Sequence, residues 1–230
     1  MAGNPQMLNK FFDVSTREDI AKIVDNFIVG KEREISVLTV GSPNAWECKG
    51  IRNKNKVNIF ALDRESATNF DETKKLFKTG KFIKSDFFNY NPDIKFDIIV
   101  NRWFLHHLNT IQKKKFLKKS KEMLRPGGIL ICVDYFLTKF EGMEERVKSG
   151  LTFLEYRRKF VEQPTKAKFE TLIRKSEKED FRGAKMDSME NFVEFVRGAK
   201  FSSYLYKYTT DANKVDNPEH WGHYIIYCEK

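Results

Sequence analysis

The stretch Phe96–Phe136, FDIIVNRWFLHHLNTIQKKKFLKKSKEMLRPGGILICVDYF, decides the fold that we predict for this chain. It holds two short apolar runs, Ile98–Val100 and Ile129–Val133, on either side of a segment whose apolar residues recur at helical spacing. Pro126-Gly127-Gly128 would end that helix. Two apolar strands joined by a helix are typical of a parallel βαβ unit, which binds ligands at the carboxyl ends of its strands.

The pairing of FDIIVNRWFLHHL with LRPGGILICVDYF resembles the second half of a class I S-adenosylmethionine-dependent methyltransferase. This resemblance implies an α/β fold with a doubly wound, mainly parallel, Rossmann-like sheet that ends in an antiparallel strand pair. It also implies S-adenosylmethionine as the cofactor and methyl transfer to an oxygen or nitrogen nucleophile of a small molecule. In this family the strand that ends near Asn101 borders the substrate.

The rest of the chain continues the alternation of helices and strands, and we interpret residues 1–230 as one domain. A glycine, Gly80, is expected to end the second helix. Before the opening stretch we predict a helix over Asp13–Ile28, strands over Glu34–Gly41 and Val57–Leu62, a helix over Phe70–Thr79 and a strand over Lys81–Ile83; two late strands are predicted over Phe201–Tyr208 and His223–Cys228.

Gly41 and Ser42 follow the first predicted strand, where the resemblance implies a glycine-rich loop that holds the methionine part and the ribose of the cofactor. This sequence departs from the family pattern, because Thr39 stands where an acidic residue is expected and the loop keeps one glycine. Pro43 removes a backbone donor and Trp46 adds bulk. The altered loop leaves open a non-catalytic methyltransferase-like module that keeps the fold for protein contacts.

Two acidic residues follow the second and third strands in the order that the family shows. Asp63, followed by Arg64, lies where a carboxylate accepts hydrogen bonds from ribose hydroxyls. The resemblance implies that Asp86 accepts a hydrogen bond from the adenine amino group and that Phe87 packs on the ring. An aspartate at a strand end is also common in turns. We assign to the cofactor site Gly41, Ser42, Asp63, Arg64, Asp86, Phe87 and Asn101.

His106 and His107 belong to an apolar-Leu-His-His-Leu run that is frequent in methyltransferases acting on small molecules. Imidazole titrates near neutral pH, so either ring could take a proton from the nucleophile. A histidine that caps the next helix or is bonded in the core is the alternative for each ring. His106 is our catalytic candidate, although alignment alone can support methyl transfer. For acceptor binding we select Trp103, His107, Tyr135, Tyr156 and Arg157.

Residues 137–198 are predicted to form a helical insertion or cap, because they exceed the single helix that a minimal fold needs. Helices are expected over Glu141–Val161, Thr165–Asp180 and Ser188–Arg197. Arg157 within the insertion suits a carboxylate or phosphate of the substrate. It is equally well explained as a surface charge that answers Glu155.

The formal net charge of +10 and the pI near 9.3 keep an RNA methyltransferase as an alternative. Against it, the excess lysines lie on predicted solvated helix faces, and Asn101-Arg102-Trp103-Phe104 is not an Asn-Pro-Pro-Tyr-like motif. The three cysteines have neither metal-ligand nor disulfide-framework spacing, and no apolar run reaches membrane-spanning length. We therefore expect a cytoplasmic protein without a metal or membrane partner; its oligomeric state stays open.

Overall fold

The computed structural model describes residues 5–137, 139–158, 171, 173–183, 185–208 and 221–230, with side chains over slightly narrower ranges. The strands are β1 Ile35–Val40, β2 Val57–Asp63, β3 Thr79–Lys84, β4 Phe96–Arg102, β5 Leu124–Leu137, β6 Ser203–Tyr208 and β7 Trp221–Glu229. The helices are α1 Pro5–Ile28, α2 Phe70–Lys74, α3 Thr110–Met123, α4 Gly142–Arg158 and α5 Met189–Gly198.

The described strands form one seven-stranded sheet in the order β3-β2-β1-β4-β5-β7-β6. Neighbouring strands from β3 to β5 pair in parallel, whereas β7 pairs antiparallel with both β5 and β6. The predicted mainly parallel sheet with an antiparallel end is therefore confirmed. Because the chain runs outward from β1 to β3 and then returns to β4, the carboxyl ends of β1 and β4 meet where the strand order reverses.

Each face of the sheet has its own apolar core. Successive residues of a strand point to opposite faces, so Val37 packs in one core and Leu38 in the other. The core with Val37 contains Ile20 and Val24 of α1, and the core with Leu38 contains residues of α3 and α5. Helices thus cover both faces, which explains why the central strands read as continuous apolar runs.

Gly80 does not end a helix, and this prediction is wrong. Helix α2 ends at Lys74, and Gly80 lies inside β3. A Cβ at Gly80 would lie 2.3 Å from the Cβ of Lys74. Gly80 is therefore needed because α2 lies very close to β3. In the sequence alone, a glycine required by such a close contact cannot be distinguished from a glycine that ends a helix.

Helix α3 begins and ends at clear local signals. The Asn109 side chain accepts a hydrogen bond from the Gln112 N–H, and the Gln112 side chain accepts one from the Asn109 N–H, each at 3.0 Å. The helix ends at Met123, before the Pro126-Gly127-Gly128 turn. Strand β5 begins at Leu124 rather than at Ile129, and its pairing with β4 shifts register across this turn.

The predicted insertion separates into two structural parts. Phe153 of α4 and Phe181 form a small cluster with Leu137, and Trp103 and Tyr135 pack against it. Helix α5 instead packs in the main core, where its Phe192 ring lies 5.2 Å from that of Phe136. Of the predicted helix Thr165–Asp180, residues 171 and 173–180 are described and are helical, with a π-helix over Glu177–Phe181. The other residues of that prediction lie outside the described residues, as do the side chains of Tyr156 and Arg157.

A buried ion group ties the insertion to α3. The Asp187 carboxylate accepts hydrogen bonds from Lys113 Nζ at 2.6 Å and from Arg146 Nη2 at 2.8 Å. Lys113 and Asp187 are almost fully buried, with 1% and 2% of their surface exposed. Burial lowers the pKa of Lys113, while the Asp187 charge opposes that change. Asp187 therefore holds together a helix of the main core and the first helix of the insertion.

Cys48, Cys132 and Cys228 are free and buried. Over the described part of the chain, no helix is long and apolar enough to cross a membrane. Within the same ranges, no group of three or more histidine, cysteine or acidic side chains is placed to hold a metal ion.

Candidate active site

A cavity of about 470 Å³ opens at the carboxyl ends of β1, β2 and β4. Its size is within the range of small-molecule sites in proteins. One wall comes from the loops after β1, β2 and β3, and the other comes from the segment after β4. Among the residues that line it are Gly41, Pro43, Asp63, Arg64, Glu65, Asp86, Phe87, Trp103, Phe104, His107 and Gln112.

Gly41 begins the loop after β1 in a conformation that requires glycine. Its φ is +71°, and a Cβ there would lie 2.5 Å from Cδ2 of Phe104. The Gly41 N–H donates to the Leu62 carbonyl oxygen at 3.0 Å, which ties the loop to β2. The backbone of the loop therefore lies close against the segment after β4, as a ligand cradle between these strands needs.

Ser42, the next residue, is held by a buried acid that the sequence analysis missed. Its Oγ donates to Oε2 of Glu47 at 2.5 Å, and none of the Glu47 surface is exposed. Burial raises the pKa of Glu47 to about 7, although the hydrogen bond from Ser42 and the charge of Arg17 act against this shift. Glu47 follows Trp46 in a polar stretch, so the sequence gives no signal that it is buried.

Asp63 and Asp86 are each fixed by a turn of their own. Oδ1 of Asp63 accepts a hydrogen bond from the Glu65 N–H at 2.8 Å, and Oδ1 of Asp86 accepts one from the Phe88 N–H at 2.7 Å. Arg64 Nε lies 4.0 Å from Oδ2 of Asp86. The turn interpretation and the binding interpretation are thus compatible, because a turn that fixes one carboxylate oxygen also orients the other.

Phe87 is mostly buried, since only 3% of its surface is exposed. Its ring centroid lies 4.8 Å from that of Phe116 of α3, so the core holds the ring from behind. It nevertheless contributes to the cavity wall. A fixed aromatic ring at a cavity wall suits the apolar face of a planar ligand.

Trp103 lines the wall of the cavity that the segment after β4 provides. Its backbone has a φ of +55°, an uncommon conformation for a residue with a bulky side chain. The indole stacks on the Tyr135 ring at 5.9 Å and an interplanar angle of 15°, and the Arg102 guanidinium lies 3.9 Å from the indole centroid. These contacts hold the indole at the cavity in a defined orientation.

His106 forms a close pair with Asp134, a residue that the sequence analysis did not select. Nδ1 of His106 lies 2.8 Å from Oδ1 of Asp134, and the His106 N–H donates to Oδ2 at 3.1 Å. Burial lowers the pKa of His106, but the charge and hydrogen bond of Asp134 outweigh burial, and the net pKa is raised. Burial likewise opposes ionisation of Asp134, yet His106 and two backbone N–H groups lower its pKa.

His107 has the opposite electrostatic environment. Burial and the neighbouring His106 lower its pKa, which outweighs the effect of Asp134. The two imidazole centroids are only 4.1 Å apart. The two rings are therefore shifted in opposite directions, so His106 favours the charged form and His107 the neutral form.

The structure brings most of the predicted site residues to one cavity, but not all of them. Four others lie behind its wall: Ser42, Asn101, His106 and Tyr135 do not line it. The prediction that Asn101 lines the cofactor site differs most from the structure, because Asn101 is fully buried and its Nδ2 donates to the Cys132 sulfur at 2.9 Å. Its side chain packs beside Cys132 on the neighbouring strand β5, so it stabilises the end of β4 rather than lining the cavity.

The comparison with protein families agrees with this geometry. A family model described as Methyltransferase domain matches residues 38–132, which run from β1 into β5. Residues 38–132 are thus similar to methyltransferase domains, and they include every strand end that lines the cavity.

A curated protein that is similar to this chain is phosphoethanolamine N-methyltransferase of Plasmodium falciparum, which is 28% identical over 132 residues. That match covers 52% of this chain and 46% of the relative, so the chain spans about half the length of the curated relative that it matches.

Solved structures show the same fold at low sequence identity. Phosphoethanolamine N-methyltransferase 2 of Haemonchus contortus, in complex with phosphomonomethylethanolamine and S-adenosylhomocysteine, gives a TM-score of 0.61 at 12% identity; the match covers 92% of this chain and 52% of that one. A cyclopropane synthase of Mycobacterium tuberculosis gives 0.61 at 11% identity over 96% and 83% of the two chains.

The side chains around the cavity fit a nucleoside cofactor. Two carboxylates, each oriented by its own turn, face a common space with the Phe87 ring between their strands. Carboxylates accept hydrogen bonds from a ribose diol and from an exocyclic amine, and an aromatic ring packs on a purine. These two acceptor carboxylates and the aromatic ring are therefore chemically suited to S-adenosylmethionine.

Proposed function

We propose that this protein transfers a methyl group from S-adenosylmethionine to a nitrogen or oxygen atom of a small molecule. The observation that carries the proposal is the convergence of Gly41, Asp63 and Asp86 on one cavity. Gly41 allows close backbone approach, Asp63 accepts from the ribose hydroxyls, and Asp86 accepts from the adenine amino group, with Phe87 against the ring. When bound, the cofactor supplies a methyl group on a cationic sulfur.

His107, rather than His106, is the proton acceptor in this proposal. His107 lines the cavity and favours its neutral form, so it has a lone pair available for the proton that the nucleophile loses. His106 is paired with Asp134 and does not line the cavity. The His106–Asp134 pair instead fixes the segment that carries His107. Trp103, held from behind by Tyr135, forms the wall against which the acceptor is aligned.

An amine is the acceptor that the observations favour. The curated relative is named as an N-methyltransferase of phosphoethanolamine, and the solved relative holds phosphomonomethylethanolamine. His107 lines the cavity in a neutral form that can act as a base toward such an amine. A neutral imidazole can then remove the proton that an ammonium group must lose before it attacks.

The test is binding of S-adenosylhomocysteine to the purified protein and to Asp63→Ala. A ligand at a hundred times its Kd adds about 2.7 kcal/mol of stability, which raises the Tm of a chain of this size by roughly 5–10 °C. Asp63→Ala should abolish the shift while the Tm without ligand changes little. Asp93→Ala, at an exposed aspartate away from the cavity, is the matched control and should keep the full shift.

Calorimetric titration separates the outcomes. Binding by the wild type that Asp63→Ala retains would remove Asp63 from the site. The absence of binding by the wild type would contradict the proposed activity and favour the non-catalytic module.

A further inference from the structure

Glu47 is a buried acid next to the cofactor loop. It lies in the short 3-10 helix Trp46–Cys48 that follows the loop directly, and its Oε2 accepts the hydrogen bond from Ser42 Oγ at 2.5 Å. Among the described residues, its second oxygen, Oε1, has no hydrogen-bond partner. The hydrogen bonds of this buried carboxyl group therefore replace only part of the water contacts that it would have when exposed.

Such a group destabilises the fold. The charged form loses its hydration on burial, and the hydrogen bonds from Ser42 and from the Glu47 backbone replace only part of that hydration. Two ionisable groups face Glu47: Arg17 of α1, which favours the charged form, and Cys48 of the same turn, whose thiol pKa is raised well above its ordinary value by burial and by the Glu47 charge. A costly, incompletely paired acid beside a binding loop indicates a functional role.

After Gly41, hydrogen bonds to side chains and to the backbone fix the shape of this loop. The carbonyl oxygen of Ser42 accepts hydrogen bonds from the Ala45 N–H at 3.1 Å and from Thr39 Oγ1 at 3.4 Å. Asn44 Oδ1 accepts one from the Asn69 N–H at 2.8 Å. Ala45 takes a φ of +47°, a value that a glycine would adopt without strain. Glu47 adds the hydrogen bond that fixes the Ser42 hydroxyl.

We propose that Glu47 is a positioning residue for the cofactor, which holds Ser42 from behind the cavity wall, so fixes the backbone of the neighbouring Gly41 and Pro43, and replaces the acid that the family pattern places at Thr39. The inference rests on the proposed function, since it requires that the loop from Gly41 to Ala45 contacts S-adenosylmethionine. Thr39 is fully buried, does not line the cavity and donates to the Ser42 carbonyl oxygen. In this chain the acid, Glu47, contacts the loop from the residues that follow it, whereas the family pattern places the acid before the loop.

This arrangement makes cofactor binding sensitive to pH. When ionised, Glu47 accepts a charge-assisted hydrogen bond from Ser42, which is about twice as strong as a neutral one. When protonated, the carboxyl loses that charge, and its proton competes with the serine hydroxyl as a donor. Cofactor affinity should therefore decrease as pH falls through the pKa of Glu47, which is about 7.

The experiment is calorimetric titration of S-adenosylhomocysteine at pH 6, 7 and 8 into the wild type, Glu47→Gln and Ser42→Ala. For the wild type we expect roughly three- to tenfold weaker binding at pH 6 than at pH 8. Glu47→Gln should give one affinity at all three pH values, near the wild-type value at pH 6. Ser42→Ala should be equally insensitive to pH. Glu32→Gln, at an exposed glutamate before β1, should keep the wild-type profile.

The controls distinguish failure of this inference from failure of the proposed function. His107 also lines the cavity, and a pH profile caused by it would persist in Glu47→Gln. That persistence, or wild-type affinity of Glu47→Gln at pH 8, would overturn the role of Glu47 while leaving cofactor binding intact. If the wild type bound no S-adenosylhomocysteine at any pH, the proposed function would be contradicted and this inference with it. Circular dichroism of each variant confirms that the comparison is between folded proteins.

Discussion

Glu47 affects the stability of the protein as well as its proposed binding loop. Its pKa is about 7 in the fold against an ordinary value of 4.5, so between these values the folded state binds more protons than the unfolded state. A raised pKa of an acid means that stability falls as pH rises through this interval. Above pH 7 the loss is complete, and the ionised group remains buried at its full cost.

Glu47→Gln should therefore stabilise the protein in neutral and basic solution. We expect its free energy of unfolding at pH 8 to exceed that of the wild type by up to about 3 kcal/mol, since one pKa unit corresponds to about 1.4 kcal/mol. At pH 4 the difference should nearly vanish. Urea denaturation at both pH values measures it. A variant less stable than the wild type at pH 8 would show that the carboxylate is well compensated.

The two adjacent histidines have pKa values shifted in opposite directions by their different contacts. His106 touches the Asp134 carboxylate and favours its charged form, while His107 lies next to that charge and favours its neutral form. Their order in the sequence cannot reveal this difference. It depends on which ring faces Asp134, and that follows only from the turn between β4 and α3.

At the scale of elements, Asp187 joins α3 to α4 through two buried cations. Removal of one partner from a buried ion group leaves an uncompensated charge, which costs about 3–5 kcal/mol. Asp187→Ala would leave both Lys113 and Arg146 without this carboxylate. We expect it to lower the free energy of unfolding by about this amount.

Lys113→Met is the informative partner variant. It leaves Asp187 paired with Arg146 and places an apolar chain at a buried position, so its loss should be clearly smaller than that of Asp187→Ala. Lys118→Met, at an exposed position of the same helix, is the matched control and should change little. Chemical denaturation of the three variants measures these differences. Equal losses in Asp187→Ala and Lys118→Met would mean that the ion group does not connect the helices.

Most strands could be predicted from the sequence because both faces of the central strands are covered, which gives clear apolar runs. The mainly parallel sheet with its antiparallel end was predicted from the family resemblance. The prediction that Gly80 ends a helix was wrong, since glycine is favoured both after a helix and at a close contact between elements. Asp63 and Asp86 could be predicted to lie at the cavity because each comes at the end of a strand, and the ends of parallel strands meet at one edge of the sheet. Glu47 and Asp134 were missed, because an acid in a loop and an acid after a strand look exposed until their burial is known.

At the scale of the whole molecule, the formal net charge of +10 predicts some attraction to nucleic acid. If the charge serves only as a solvated surface, binding to a short RNA should be weak and should disappear as the salt concentration approaches physiological values. Fluorescence polarisation at increasing salt measures this. Saturable binding that persists at high salt and competes with S-adenosylhomocysteine would instead support the RNA methyltransferase alternative.

The strand order also separates the two substrates along the chain. All residues proposed to hold the cofactor lie between Gly41 and Phe87, at or just after the ends of β1 to β3, and all residues proposed to meet the acceptor lie from Trp103 onward. A single genetic crossover in the segment between β3 and β4 would therefore join the cofactor half of one ancestor to the acceptor half of another. Such a fold can acquire new substrates by inheritance of one half of its gene.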